Sequence, residues 1–210
     1  MLEVYAFATP NSVRIPIALE ELGLPYELKS VNVRKGEQKT ETFLALNPNS
    51  KVPVLVDSDA NNEKPFVLTE SGAILIYLAE KTGQLLPSHG AGRYRVFEQI
   101  LFHGTGIGPS LGQSGYFQRQ APEVVPFAIE RFRNEVARTL RVLEGVLGTS
   151  SYVAGEEYTI ADIAHFGWMW RREFANVELT DTPNIARWYE QMMARPAVIR
   201  ALERVTALAQ

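Results

Sequence analysis

Strand signals in this chain stop early: all of them lie before Gly83, and everything past Gly92 reads as helix. The first stretch, Leu2 to Ala8, is apolar enough for a buried strand and breaks at Thr9-Pro10-Asn11-Ser12. Ile15, Ala18, Leu19 and Leu22 then recur at helical spacing, and Gly23 stops the helix. Leu28, Val31 and Val33 predict a second strand, so the opening is a βα unit leading to another β, which favours a parallel pair. A polar stretch with Gly36, Gln38 and Lys39 precedes a short helix, Glu41 to Leu46, and Asn47-Pro48-Asn49-Ser50 is a strong break. Val52 to Asp57 predicts a strand, the polar segment 58–65 a turn, and Phe66-Val67-Leu68 the return arm of a hairpin. Glu70-Ser71 opens a helix on Ile74, Leu75 and Leu78 that ends at Gly83. The order β-α-β, helix, β-β-α is that of a thioredoxin-like domain.

The remainder has a different grammar. Leu85 to Gly92, with Pro87, Gly90 and Gly92, reads as a connection. Ile129, Phe132, Val136, Leu140, Leu143 and Leu147 follow intervals of three or four, the mark of a long amphipathic helix. Thr159-Ile160-Ala161-Asp162 resembles a capping box, with Asp where Glu is usual. Further helices are expected over Asn184–Ala194 and Ala197–Leu208, separated by Pro196. The expected fold class is α/β plus all-α: a thioredoxin-like domain over 1–83, a linker over 84–92 and an all-helical bundle over 93–210.

Composition narrows the chemistry. Cysteine is absent, which excludes disulfide scaffolds, Cys-ligated zinc and a thiol nucleophile carried by the protein. Any sulfur chemistry must use sulfur brought by a ligand. His89, His103 and His165 are widely spaced without metal-ligand pattern, so no metal is expected. A net charge of −3 gives no basic footprint for nucleic acid. No run is apolar over the ~18 residues that a bilayer needs, and the start lacks the blocks of a signal peptide, so the expected location is the cytoplasm.

Three places carry candidate chemistry. Thr9, Asn11 and Ser12 lie where the first strand hands over to a helix N-terminus, whose free N–H groups and dipole stabilise a thiolate; taken in isolation, simple N-capping is the plainer reading. Pro53 sits just inside a strand, where a cis bond would turn the preceding backbone toward a ligand and a trans proline at a strand's first residue is the plainer reading. Glu70-Ser71 opens a helix directly after a strand: Ser71 and the turn's N–H groups suit a carboxylate and Glu70 an ammonium, while a capped acidic first turn has the same look. Gly108-Pro109-Ser110-Leu111-Gly112 fits the G-x-S-x-G hydrolase pattern but follows a helical run instead of a strand.

Over nearly all its length the chain resembles the glutathione transferase superfamily, through TPNSVRIPIALEELGLPYE, NPNSKVPVLVD, LTESGAILIYLAEKTG, YVAGEEYTIADIAHFGWM and NIARWYEQMMARPAV. Its TPN turn, KGEQ, GIGPSLGQ and PFAIERF are most similar to the bacterial nu class, which is itself similar to the yeast nitrogen-regulator prion protein. The resemblance implies a glutathione-dependent disulfide-bond oxidoreductase that binds two glutathione molecules or one glutathione disulfide, with weak transferase or peroxidase activity beside it. It implies catalytic roles for Thr9 and Asn11 beside the sulfurs. Gln38 and Lys51 are assigned to the glycine end and Val52 and a cis Pro53 to the cysteinyl part. Glu70 and Ser71 take the γ-glutamyl head. It also implies a homodimer in which Arg131 reaches the ligand across the interface; a solvated helix-face arginine is the alternative. No tyrosine stands at the active-site place of the mammalian-type classes, and Tyr5, inside the first strand, is expected to pack. The rival activities are conjugation of glutathione to an electrophile and non-catalytic glutathione binding by a regulatory protein on the same scaffold.

Overall fold

The computed structural model describes residues 1–60 and 64–209. The expected turn over 58–65 falls partly on 61–63, which lie outside the described residues. The chain divides into two compact units, Met1–Gln84 with Ala194–Gln210, and Leu85–Met193.

The first unit is built on a four-stranded mixed sheet in the order β2-β1-β3-β4. β1 (Leu2–Ala6) pairs parallel with β2 (Tyr26–Ser30) and antiparallel with β3 (Val54–Asp57), which pairs antiparallel with β4 (Phe66–Thr69). The sequence VLVD of β3 is buried at every position, as a central strand covered on both faces requires, whereas the edge strands β2 and β4 are half-exposed. β2 ends at Ser30, so Val31 and Val33 lie beyond it; Val31 instead packs with Phe43 and Val54 in a small apolar cluster. That cluster anchors α2 (Glu41–Leu46) through Phe43.

α1 (Arg14–Glu21) is buried from Arg14 to Leu19, on every side of the helix. Pro16 is tolerated because it sits in the first turn, where its missing N–H has no intrahelical partner to lose. The all-round burial has a cause that chain order hides: α1 packs against α3 (Ser71–Thr82) and also against α9 (Pro196–Ala207). By its packing α9 therefore groups with the first unit. Its buried residues, Ala197, Val198, Ala201, Leu202 and Val205, form one face, and that pattern alone does not say which surface the face covers. Glu21 holds Arg195 bidentately at 2.6 and 2.9 Å, and Glu20 pairs with Arg200 and Arg204.

The second unit is helical: α4 (Ala91–Phe102), a π-turn (His103–Ile107), α5 (Gly108–Arg119), α6 (Pro126–Leu147), α7 (Ile160–Trp170) and α8 (Pro183–Met193). α7 is the apolar centre, buried from Ile160 to Gly167. Its start is the capping box anticipated from Thr159 and Asp162. Gly104-Thr105-Gly106 continues as helix through the π-turn, so α4 runs into α5 almost without a break. Ser110 is thereby buried inside the helical stretch with its hydroxyl donating to the Ile107 carbonyl at 3.0 Å, and no strand precedes it. This removes the hydrolase reading, which needs an exposed serine on a strand-to-helix turn.

Candidate functional site

The sheet places three loops at the same end of adjacent strands. β1 leads into the Thr9 turn, the loop before β3 carries Lys51, Val52 and Pro53, and β4 leads into the N-terminus of α3. Because β3 runs antiparallel to both β1 and β4, its entry lies beside their exits. Seven of the nine anticipated residues, Thr9, Asn11, Lys51, Val52, Pro53, Glu70 and Ser71, fall on these loops.

At the first loop the turn is closed by its own hydroxyls. The Ser12 amide donates to Thr9 Oγ1 at 3.2 Å, and Thr9 Oγ1 donates to Ser12 Oγ at 2.9 Å. Ser12 Oγ, fully buried, also accepts from the Phe7 amide at 3.4 Å. Thr9 is thus the cap of the turn that leads into α1, as well as a hydroxyl on a half-exposed surface. Asn11 is exposed, and its side chain makes no hydrogen bond among the described residues. Tyr5 is half-buried in β1, within 3.4 Å of Glu3 and beneath the Lys29 ammonium, a packing position.

At the second loop the Val52–Pro53 peptide is cis. Asn47, buried, braces this loop by donating from Nδ2 to the Lys51 carbonyl at 2.7 Å. Ser50 donates to the Gln38 carbonyl at 2.8 Å, which ties the Glu37–Lys39 turn to the segment carrying Lys51. Gln38 is half-buried, with Oε1 enclosed and unbonded among the described residues, while Lys51 is exposed.

At the third loop, Glu70 adopts φ 64° and ψ 110°, a left-handed backbone that costs a non-glycine residue about 1–3 kcal/mol. No side chain caps the helix that follows, so its first-turn amides have no partner from a cap. Ser71, the first helical residue, is buried, and its Oγ accepts a 2.9 Å hydrogen bond from Arg14 Nη1 on α1. Burial pushes the Arg14 guanidinium down to about 9, which leaves it cationic at neutral pH. Arg14 was not among the anticipated residues. The available signal was a lone cation in the apolar helix Ile15-Pro16-Ile17-Ala18-Leu19, too costly to bury without a purpose.

Arg131 belongs to the second unit. It is exposed on α6 and borders a hollow of about 290 Å3 with Thr105, Pro109, Gln113 and Glu135. Among the described residues, no group of three His, Cys, Asp or Glu side chains could hold a metal ion, and no helix is long and apolar enough to cross a membrane.

A thioredoxin-like sheet whose loops converge on an uncapped helix N-terminus defines a class, and the comparisons give it a family: the chain belongs to the glutathione S-transferases. Residues 8–81 match the family model for the glutathione S-transferase N-terminal domain and residues 128–196 that for the C-terminal domain. The chain is 40% identical over 205 residues to the disulfide-bond oxidoreductase YfcG of Escherichia coli strain K12, covering 96% of this chain and 94% of that protein. A glutathione transferase family member from Pseudomonas fluorescens pf-5, solved with two glutathione molecules bound, superposes with a TM-score of 0.92 at 42% identity, covering 96% of this chain and 92% of that one. A glutathione transferase from Pseudomonas putida, with one glutathione disulfide bound per subunit, superposes with a TM-score of 0.91 at 37% identity, covering 96% and 90%.

Proposed function

We propose that this protein is a glutathione-dependent disulfide-bond reductase of the nu class, working in the cytoplasm as a homodimer and taking up two glutathione molecules or one glutathione disulfide. The observation that carries the reading is a strand-to-helix junction furnished with hydroxyls, Thr9 and Ser12, in a chain without cysteine. The kinship with a disulfide-bond oxidoreductase and with transferases solved around two glutathiones or their disulfide supports it.

In this reading residues 1–83 hold the tripeptide, with 84–92 as linker to the helical part. The γ-glutamyl carboxylate meets Ser71 and the open N-terminus of α3, and its ammonium meets Glu70. Val52 pairs with the cysteinyl backbone beside Pro53, and Gln38 and Lys51 face the glycine carboxylate. Thr9 and Asn11 donate hydrogen bonds to sulfur. A threonine hydroxyl can do so if the Thr9–Ser12 bond reverses, with Ser12 becoming the donor; both hydroxyls carry one proton and two lone pairs. Arg131, exposed on α6, reaches the ligand of a second copy.

The reaction needs two ligand thiols. The thiolate of one glutathione attacks a substrate disulfide; the S–S bond breaks, a mixed disulfide forms and the departing substrate sulfur takes a proton. A second glutathione thiolate attacks the glutathione sulfur of that mixed disulfide, which releases the second substrate thiol and leaves glutathione disulfide. Thr9 is a weak acid, so it lowers the bound thiol's pKa only modestly, and disulfide exchange is fastest for a thiol with pKa near ambient pH. Parallel assays of a model disulfide and a chlorinated aromatic test the proposal. Turnover of the disulfide at least ten times faster is the expected result, and preferential conjugation of the aromatic would overturn it.

A further inference from the structure

The bond from Arg14 to Ser71 settles which way the Ser71 hydroxyl faces. A guanidinium has donors and no acceptor, so Ser71 Oγ must accept from Nη1, at 2.9 Å. The serine's single proton is then left to donate elsewhere. At a helix N-terminus whose first-turn amides are also donors, the complementary partner is an anion. Arg14 reaches this point from the first residue of α1, 57 positions earlier in the chain, and is only 5% exposed. Its charge therefore acts through a medium of low polarity, where it polarises the hydroxyl in front of it and attracts an anion beyond it more strongly than a surface cation could.

We infer that Arg14 is a positioning residue for the glutathione head group: it fixes Ser71 as a donor and, through Ser71, sets the affinity for the γ-glutamyl carboxylate. This rests on the functional reading above and adds to it a second layer that ligand contacts alone would miss. Arg14 itself touches Ser71; the carboxylate touches the serine.

A double-mutant cycle separates this role from simple packing. Ser71→Ala, Arg14→Met and the pair are compared by calorimetric titration with glutathione and by steady-state disulfide reduction. Each single change is expected to weaken glutathione binding about tenfold, the value of one charge-assisted hydrogen bond. The pair is expected to be no more than about twofold weaker than either single variant, because both remove the same interaction. The turnover rate at saturating glutathione stays within about twofold throughout, so that the loss falls on KM. Cysteinylglycine, which lacks the γ-glutamyl group, binds the wild type and Arg14→Met equally.

Unchanged affinity in Arg14→Met would overturn the inference while leaving the functional reading standing. So would a roughly hundredfold additive loss in the pair, or equal losses for glutathione and cysteinylglycine. Unchanged affinity in Ser71→Ala would sink both. If Arg14→Met does not fold, Arg14→Lys takes its place: a smaller head on a shorter reach is expected to raise KM about threefold when Ser71 is present and not at all in the Ser71→Ala background. A rise in both backgrounds would count against the inference.

Discussion

The N-termini of α3 and α7 start from similar sequence and are finished in opposite ways. At α7 the helix closes on itself. The Thr159 amide donates to Asp162 Oδ2 at 2.9 Å and the Ala161 amide to Thr159 Oγ1 at 3.3 Å. Asp162 Oδ1 accepts from the Val153 amide and from Trp188 Nε1, each at 3.0 Å. Burial outweighs these donors, which favour the ionised form, and leaves Asp162 raised to about 6. At α3 no side chain among the described residues closes the helix. The residue before it holds a strained left-handed backbone, no side chain caps the turn, and Ser71 takes a donor from behind instead of serving a neighbouring amide. A helix end satisfied by its own side chains can only stabilise the fold. One left open keeps donors free for solvent or for a ligand. In the proposed function, folding and recognition, which share a sequence signature, are thus divided between the units.

The sharpest way to break that division is at Asp162. Asp162→Asn turns one carboxylate oxygen into an amide donor that faces the donors that oxygen used to accept from, and is expected to cost about 3 kcal/mol of stability, measured by urea unfolding. The fraction that folds should keep its KM for glutathione. A raised KM would show that α7's cap also serves the ligand. Next in size is Thr9→Ala, expected to lower disulfide reduction at least tenfold. Thr9 is also a cap, so the substitution costs about 1 kcal/mol of stability as well. Thr9→Ser keeps the hydroxyl and is expected to restore both. If Thr9→Ala reduced stability alone, with activity at saturating glutathione intact, the Thr9 turn would belong with α7 as a folding device.

How much of this could be read in advance follows the same divide. Both helix starts were visible as polar residues ahead of apolar periodicity, and α7's box could be specified to the residue because capping is local: every partner but Trp188 lies within nine residues of Asp162. The three-loop convergence was legible only through resemblance, since Thr9, Pro53 and Ser71 lie far apart in sequence and their meeting depends on strand order. Arg14 was missed because its partner is 57 residues away and a buried arginine gives no periodic signal. The placement of α9 was missed for a similar reason: an amphipathic helix announces an apolar face, and the face it meets, α1, is set by tertiary packing. The π-turn escaped notice because Gly104 and Gly106 are poor helix formers read singly, while the rings of His103 and His165, 4.9 Å apart, help to hold it in the fold.

The smallest expected effect is also the one that weighs the two helix ends against each other most directly. Glu70 holds φ 64°, which glycine adopts at little cost. Glu70→Gly removes that strain but makes the unfolded chain more flexible, so the net gain in stability is expected to be under about 1 kcal/mol. Glu70→Ala keeps the strain and provides the control. Both variants lose the carboxylate proposed to face the ligand's ammonium, an exposed pair worth up to about fivefold in KM. A chain that grows more stable as it binds glutathione less well would show that α3's N-terminus is held open against the preference of the fold, the reverse of α7, where disturbing the cap costs stability and spares the ligand. Equal stability for the two variants would mean that the loop before α3 carries its backbone shape without cost, and that the contrast between the two ends lies in their hydrogen bonds alone.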